Sequence, residues 1–571
     1  MVDAVLVACM EKNISIRNVF RETAIREDTK NLSLNPLFNG FINRYRENLG
    51  IACLAAYLRQ NNIPTKIINS NIENKSNRQI EDEILADNPV MVGFSILYEL
   101  HLYNTMEVIF NLRKRGYKGH ITIGGPCASF IYEFLLNSTV GIDSVILGEG
   151  ELPMLTLVNR LKSKQSWKDI DGLAYMHNGE AVYNQKKETI SDLSVLPFAA
   201  RDSLYYLKNQ GYSTRTASIY SSRGCRGNCI YCTAPSSSCL ELEKWRCRSG
   251  ESLYEEVEFL VKEFGVEYLY FCDVNFIGYG SKALERLEVF CNKIIENNIK
   301  INFHAEIRVD SIKPDLLNLL KKAGLRDLLL GLESGSQRLL NLWRKGVTVE
   351  RNLRAVEMVK SHGFMLEPAM IMVSPSTTKQ DLIDTIDFIV ESKIYEDNVP
   401  MNMFNKMVLF RGSEAERLLR DEGKLDSPDM SVITKPVKNE NDLVAICKEM
   451  LAREYKIFDD DVEKVWEVLV PYINKLTWLI QDYFPDYMSS EFRQMRSNSN
   501  KKESRQEILT KIIGIKKWRD QIGELIKNIL LATKECLSKN EVNVGEFSRV
   551  IVCIIDEYEI ECFGDILKTG T

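Results

Sequence analysis

Short, continuously apolar runs, each followed by a segment of helix length, constrain this chain more than any other feature. In the first 160 residues they lie at 4–7, 64–68, 90–95, 120–123 and 144–147. A strand apolar along its whole length is buried on both faces, and strands separated by helices run parallel. The pattern therefore predicts an open parallel α/β sheet. Such sheets bind ligands beyond the carboxyl ends of their strands. Three of those ends carry Gly93-Phe94-Ser95, Gly124-Gly125-Pro126 and Gly148-Glu149-Gly150-Glu151. One such glycine reads as a turn residue. Three strand ends behaving alike predict a site that backbone approaches closely.

Residues 166–214 are more polar and read as a linker. The turn signals Asp171-Gly172 and Asn178-Gly179, with apolar pairs around the second, predict a small hairpin there. A second α/β run occupies 215–415. Its strands fall at 217–220, 268–271, 301–305, 328–332 and 369–373, and its helices at 251–264, 281–298, 314–323, 336–341, 349–361 and 378–391. Repeated strand–helix units of this size predict a partial or full parallel barrel. Residues 416–571 change character. Leu443, Ile446, Val465, Leu469 and Leu476 have helical spacing, Trp466, Trp478 and Trp518 read as helix-packing residues, 493–505 as a solvated loop and 551–555 as a final strand. The plan is an α/β domain over 1–165, the linker, a barrel and a mostly helical carboxyl-terminal domain.

Lys and Arg number 73 and Asp and Glu 79, a net charge of −6 that argues against a nucleic-acid partner. No apolar stretch approaches the roughly 18 residues that span a bilayer. The opening Met1-Val2-Asp3 lacks the character of a signal peptide. A cytoplasmic location is expected, where thiols stay reduced. Most of the 14 cysteines then read as small buried hydrophobes, and a close cluster as a metal site.

That cluster is Ser221-Ser222-Arg223-Gly224-Cys225-Arg226-Gly227-Asn228-Cys229-Ile230-Tyr231-Cys232. Three thiolates on one tight loop suit three irons of a [4Fe–4S] cube and leave the fourth iron open to a ligand. Structural zinc is the alternative; it wants a fourth protein ligand, for which Cys239 and Cys247 are the nearest thiols. Unligated core cysteines are the third reading.

The segment resembles the hallmark of the radical S-adenosylmethionine (SAM) superfamily, Cys-x3-Cys-x2-Cys with an aromatic before the last cysteine, here Tyr231. The domain order is similar to that of its cobalamin-binding branch, the class B-like methyltransferases. There a flavodoxin- or Rossmann-like cobalamin domain precedes a partial (β/α)6 barrel. The resemblance covers about residues 1–410. It implies a [4Fe–4S] cluster on Cys225, Cys229 and Cys232. It implies SAM contacts from Tyr231, Arg246, Arg248, Asp273, Glu306, Arg308, Gly331 and Glu333. It implies cobalamin contacts from Gly93, Ser95, Gly124, Gly125, Pro126, Gly148, Glu149, Gly150 and Glu151. Plainer roles stand beside these. Glu306 and Arg308 share a strand face and can pair with each other, and Glu333 can cap a helix starting at Ser334.

The chain departs from the family pattern in three places. It has no Asp-x-His-x-x-Gly to supply histidine to the lower face of cobalt. Ser374-Pro375 stands where a glycine-proline turn is usual, and Phe410-Arg411-Gly412-Ser413 where proline-glycine-threonine is usual.

What the resemblance implies is a radical SAM enzyme, foremost a C-methyltransferase acting on a small metabolite, natural-product intermediate or peptide. A one-electron reductant such as flavodoxin or ferredoxin would be its partner. The same cofactors serving oxidation, cyclisation or ring rearrangement form the alternative. A non-catalytic cobalamin-responsive protein is the weaker one.

Overall fold

The computed structural model describes residues 2–9, 47–212, 214–396, 403–426, 428–451, 455–473 and 505–555, without the side chains of 238–239 and 505–520. By internal contacts the chain divides into two compact units. One holds Met1–Val274, Gly280–Lys293 and Leu409–Glu454; the other holds Asn275–Tyr279, Ile294–Val408 and Tyr455–Thr571.

The first unit is built on a seven-stranded sheet. Its strands are β1 (Ala4–Ala8), β2 (Thr65–Asn69), β3 (Met91–Ser95), β4 (His120–Gly124), β5 (Ser144–Ile146), β6 (Leu173–His177) and β7 (Glu180–Tyr183). They lie in the order β2-β1-β3-β4-β5-β6-β7, the first five parallel. The predicted hairpin is β6–β7, and β6 pairs antiparallel with β5, so the linker extends the sheet. Helices cover both faces, as the unbroken burial of β1 requires. Successive side chains alternate. Leu6 enters a core with Leu58 of α1 (Leu49–Gln60) and Leu157 of α2 (Glu151–Lys162). Val5 and Val7 enter the opposite core with Met106 and Ile109 from the helix Leu102–Lys114. Each such fully buried branched side chain contributes about 1.5–3 kcal/mol. Of the residues expected in a carboxyl-terminal helical domain, the helix Glu440–Leu451 lies in this second core, through Leu443, Ile446, Cys447 and Met450.

The same unit continues into β8 (Thr216–Ile219), an antiparallel pair β9 (Ser222–Gly224) and β10 (Trp245–Cys247), α3 (Gly250–Phe264) and β11 (Tyr268–Phe271). Ser249 caps α3 by accepting the Ser252 N–H, and Gly265 ends it in a left-handed conformation. Strands β8 and β11 pair in parallel.

In the second unit β12 (Asn302–Arg308), β13 (Leu325–Glu333) and β14 (Met365–Met370) are parallel, joined through the helices Pro314–Ala323 and Val349–Ser361. Pro368 is tolerated because β14 is an edge strand. Beyond it the described residues add one parallel bridge, Val373 with Lys406, to the predicted barrel. The helix Arg505–Ser538 packs against Lys379–Ser392, burying Ile526, Ile529 and Leu530. Residues 551–555, expected as a strand, are helical. Ile551 and Ile555 are buried four apart while Val550 and Val552 are exposed, which is helical spacing. Trp478 and most of the expected 493–505 loop fall outside the described residues. Among the described residues no helix is long and apolar enough to cross a membrane.

Candidate functional site

The carboxyl ends of the sheet strands and the first turns of α1 and α2 enclose a cavity of about 290 Å³. It lies where the strand order reverses between β1 and β3, the position at which doubly wound sheets take ligands. Gly93, Ser95, Gly124, Gly125, Pro126, Gly148, Glu149, Gly150 and Glu151 all line it. Gly125 has φ +102°, and a Cβ there would stand 2.7 Å from the Ile96 carbonyl oxygen, so the turn requires glycine. Asn48 accepts the Ile51 N–H at the start of α1, and its amide donates to Ser95 Oγ at 3.5 Å. Cys53 of α1 also faces the cavity, and burial pushes its thiol up to about 11. Among the described residues that line it, none is a histidine.

Two lining residues come from beyond β8, Tyr220 and Arg223. Arg223 donates to Glu151 Oε1 at 2.7 Å and lies 3.0 Å from Glu149 Oε2. Its guanidinium also stacks over the Tyr220 ring at 4.7 Å. Arg246, expected beside SAM, is buried on β10, pairs with Glu149 and donates to the Ile190 carbonyl at 2.7 Å. Burial would raise the Glu149 carboxyl, but Arg223 and then Arg246 outweigh it and hold the group below its usual range. Glu241 accepts the Glu149 N–H at 2.8 Å and pairs with buried Lys186. The cavity's acidic rim is thus gripped by residues that flank the cysteine loop.

That loop leaves β9 at Gly224. Cys225 accepts the Gly227 N–H and Cys232 the Ala234 N–H, each at 3.3 Å. Cys225 and Cys229 are buried, Cys232 and Tyr231 are half-buried, and none of the three cysteines is in a disulfide. Three thiols on one loop, two of them already receiving backbone N–H groups, fit the donor set of an iron–sulfur cluster.

Asp273 stands at the root of this loop. It accepts from Ser221 N at 2.9 Å, Ser221 Oγ at 2.6 Å and Ser222 Oγ at 2.5 Å, while Arg286 donates to Ser221 Oγ at 2.9 Å. Burial raises its carboxyl despite Arg286. Arg248 is buried against Glu256, which also accepts from Arg201 at 2.8 Å, and Arg201 reaches Glu47 at 2.5 Å.

The remaining sequence candidates belong to the second unit. Arg308 is buried and donates to Asp310 at 2.9 Å and to the Lys345 carbonyl at 2.9 Å. Glu306, on the same face of β12, is half-buried. Glu333 is buried, takes Lys345 Nζ at 2.6 Å and has φ +68°. It does not cap the following helix; Ser336 does, accepting the Leu339 N–H. A Cβ at Gly331 would fall 2.8 Å from both Glu333 Oε1 and Lys345 Nζ. Nearer the starts of these strands His304 Nδ1 lies 2.6 Å from Asp327 Oδ2 and 4.0 Å from Glu367 Oε1. Sequence reasoning missed Arg223 and Lys345 as site residues. The available signal for Arg223 was its place two positions before Cys225.

The family model described as the radical SAM superfamily matches residues 219–389, and the B12 binding domain model matches 44–158. An uncharacterized methyltransferase of Pyrococcus horikoshii is 28% identical over 344 residues, 60% of this chain and 72% of that protein. The anaerobic magnesium-protoporphyrin IX monomethyl ester cyclase of Rubrivivax gelatinosus is 27% identical over 348 residues, 59% of this chain and 60% of that protein. Among solved structures, the cobalamin-dependent S-adenosylmethionine radical enzyme OxsB with aqua-cobalamin and S-adenosylmethionine bound aligns with a TM-score of 0.72. The alignment covers 100% of this chain and 81% of that one at 18% identity, a likeness of fold.

Proposed function

We propose that this chain, a radical SAM enzyme with a cobalamin-binding domain ahead of its SAM domain, methylates an unactivated carbon of a small metabolite, natural-product intermediate or peptide. The observation that carries the reading is the double bridge from Arg223 to Glu149 and Glu151. It holds the rim of a glycine-lined cavity against the segment that begins the three-cysteine loop, as a reaction using both cofactors needs.

Cys225, Cys229 and Cys232 would hold a [4Fe–4S] cluster, and the strand-end cavity would hold cobalamin. Glu306, Arg308, Gly331 and Glu333 would be the second unit's contacts to SAM. Bound there, these groups supply one-electron cleavage of the SAM sulfonium bond and a transferable methyl group. The chain's own residues orient and shield them. The Gly227 and Ala234 N–H groups offset negative charge on two sulfurs. Asp273 fixes Ser221 and Ser222, and with them the start of the loop. Arg308, steadied by Asp310, offers a planar cation suited to an amino-acid carboxylate. None of the described residues lining the cavity is a histidine, so any side chain that would meet the corrin there would be of another type. A flavodoxin or ferredoxin of the cytoplasm would supply the electron.

The test is an anaerobic assay with methyl-deuterated SAM and candidate substrates suggested by neighbouring genes. A product carrying the labelled methyl supports the reading. An unlabelled, cyclised or dehydrogenated product rejects methyl transfer in favour of the second reading, to which the cyclase relative lends weight.

A further inference from the structure

Arg223 belongs to the cysteine loop by covalent bonds and to the cavity wall by electrostatics. Only Gly224 separates it from Cys225. Its register partner across the β9–β10 pair is Arg246, on the strand to which the loop returns. Both guanidiniums take Glu149, and Arg223 takes Glu151 as well. Glu241, between Cys232 and β10, adds a backbone contact by accepting the Glu149 N–H at 2.8 Å. The two strands that close the base of the cysteine loop therefore grip the Gly148–Glu151 wall of the cavity. The Arg246 and Glu151 side chains are 2% and 4% exposed and those of Arg223 and Glu149 18% and 19%, so solvent ions screen the grip only in part. A shift of the loop base must either drag the wall with it or strand buried carboxylates.

We infer that Arg223 is a positioning residue that couples loading of the two cofactor sites. A cluster assembled on Cys225, Cys229 and Cys232 immobilises the loop base, Arg223 passes that order to the Gly148–Glu151 wall, and cobalamin binds more tightly. Linkage requires that cobalamin favour cluster retention by the same factor. The inference rests on the reading of the cavity as a cobalamin site.

The experiment is an anaerobic titration of hydroxocobalamin into the full-length chain, with and without a reconstituted cluster, followed by corrin absorbance. The cluster is expected to tighten binding on the order of tenfold, within the usual range of coupling between sites. In Arg223→Met the effect is expected to shrink below about twofold. Arg223→Lys, which keeps the charge without the two-pronged fork, gives the same comparison if the methionine variant does not fold. Equal affinity with and without cluster in the parent, or undiminished coupling in the variants, overturns the inference. Failure of hydroxocobalamin to bind either form of the parent removes the cobalamin reading itself, and the inference with it.

Discussion

Lys345 donates to Glu333 across 2.6 Å, and Gly331, two residues earlier on the same strand face, leaves the room for that pair. Glu333 itself holds a left-handed backbone at φ +68°. For a residue with a side chain this costs about 1–3 kcal/mol and persists only where neighbours enforce it. The end of β13 is thus strained and braced by one buried ion pair. Gly331→Ala is expected to displace the pair, to cost about 1–3 kcal/mol in denaturant unfolding and to weaken SAM in equilibrium dialysis. An unchanged midpoint together with unchanged SAM affinity would count against this role for the strand end.

Each of Cys225→Ala, Cys229→Ala and Cys232→Ala is expected to lose cluster iron and sulfide, and turnover with them. Cys272→Ala is the matched control, because that thiol is exposed and outside the loop. Iron and sulfide per chain, measured after anaerobic reconstitution, decide it. Parent-level iron in Cys229→Ala would remove the ligand assignment.

Features set by local backbone demands are legible in the sequence. Strand β11 is readable to the residue because Tyr268 to Phe271 is a short apolar run between polar stretches. The glycine-bearing strand ends that line the cavity are readable for the same reason. The run Ile551 to Ile555 misleads because its composition suits a strand while its burial follows a helical period. Long-range pairing is not legible. Arg223 and Glu151 are 72 residues apart, and their pairing stays hidden until the 2-1-3-4-5 strand order is known. Asp273 has the same history. For it the family resemblance implies a SAM contact, while the hydrogen bonds that fix its oxygens come from Ser221 and Ser222, about 50 residues earlier in the chain.

Arg201 carries a buried network that ties the start of α1 to α3. Its side chain is 2% exposed and serves Glu47 and Glu256, with Arg248 also on Glu256. Arg201→Met leaves buried Glu47 without the arginine it pairs with and Glu256 with Arg248 alone. The expected loss is about 3–5 kcal/mol in urea unfolding, with part recovered in Arg201→Met/Glu47→Gln, because that double variant removes the stranded charge. A single variant as stable as the parent would show that the network contributes nothing.

His304 makes the second unit sensitive to alkali. Burial lowers its pKa, but the hydrogen bond to Asp327 and the charges of Glu367, Asp327 and Glu306 outweigh it, and the imidazole titrates above its ordinary 6.5. The folded state therefore holds this proton more tightly than the unfolded chain. Its stabilising contribution is complete below about pH 6.5 and is lost as the pH rises through the higher folded value. Urea midpoints at about pH 6 and about pH 9 are expected to fall more in the parent than in Asp327→Asn, which lacks the carboxylate that holds the proton. Parallel pH profiles for the two proteins would mean that His304 is neutral throughout and that its contact with Asp327 is an uncharged hydrogen bond.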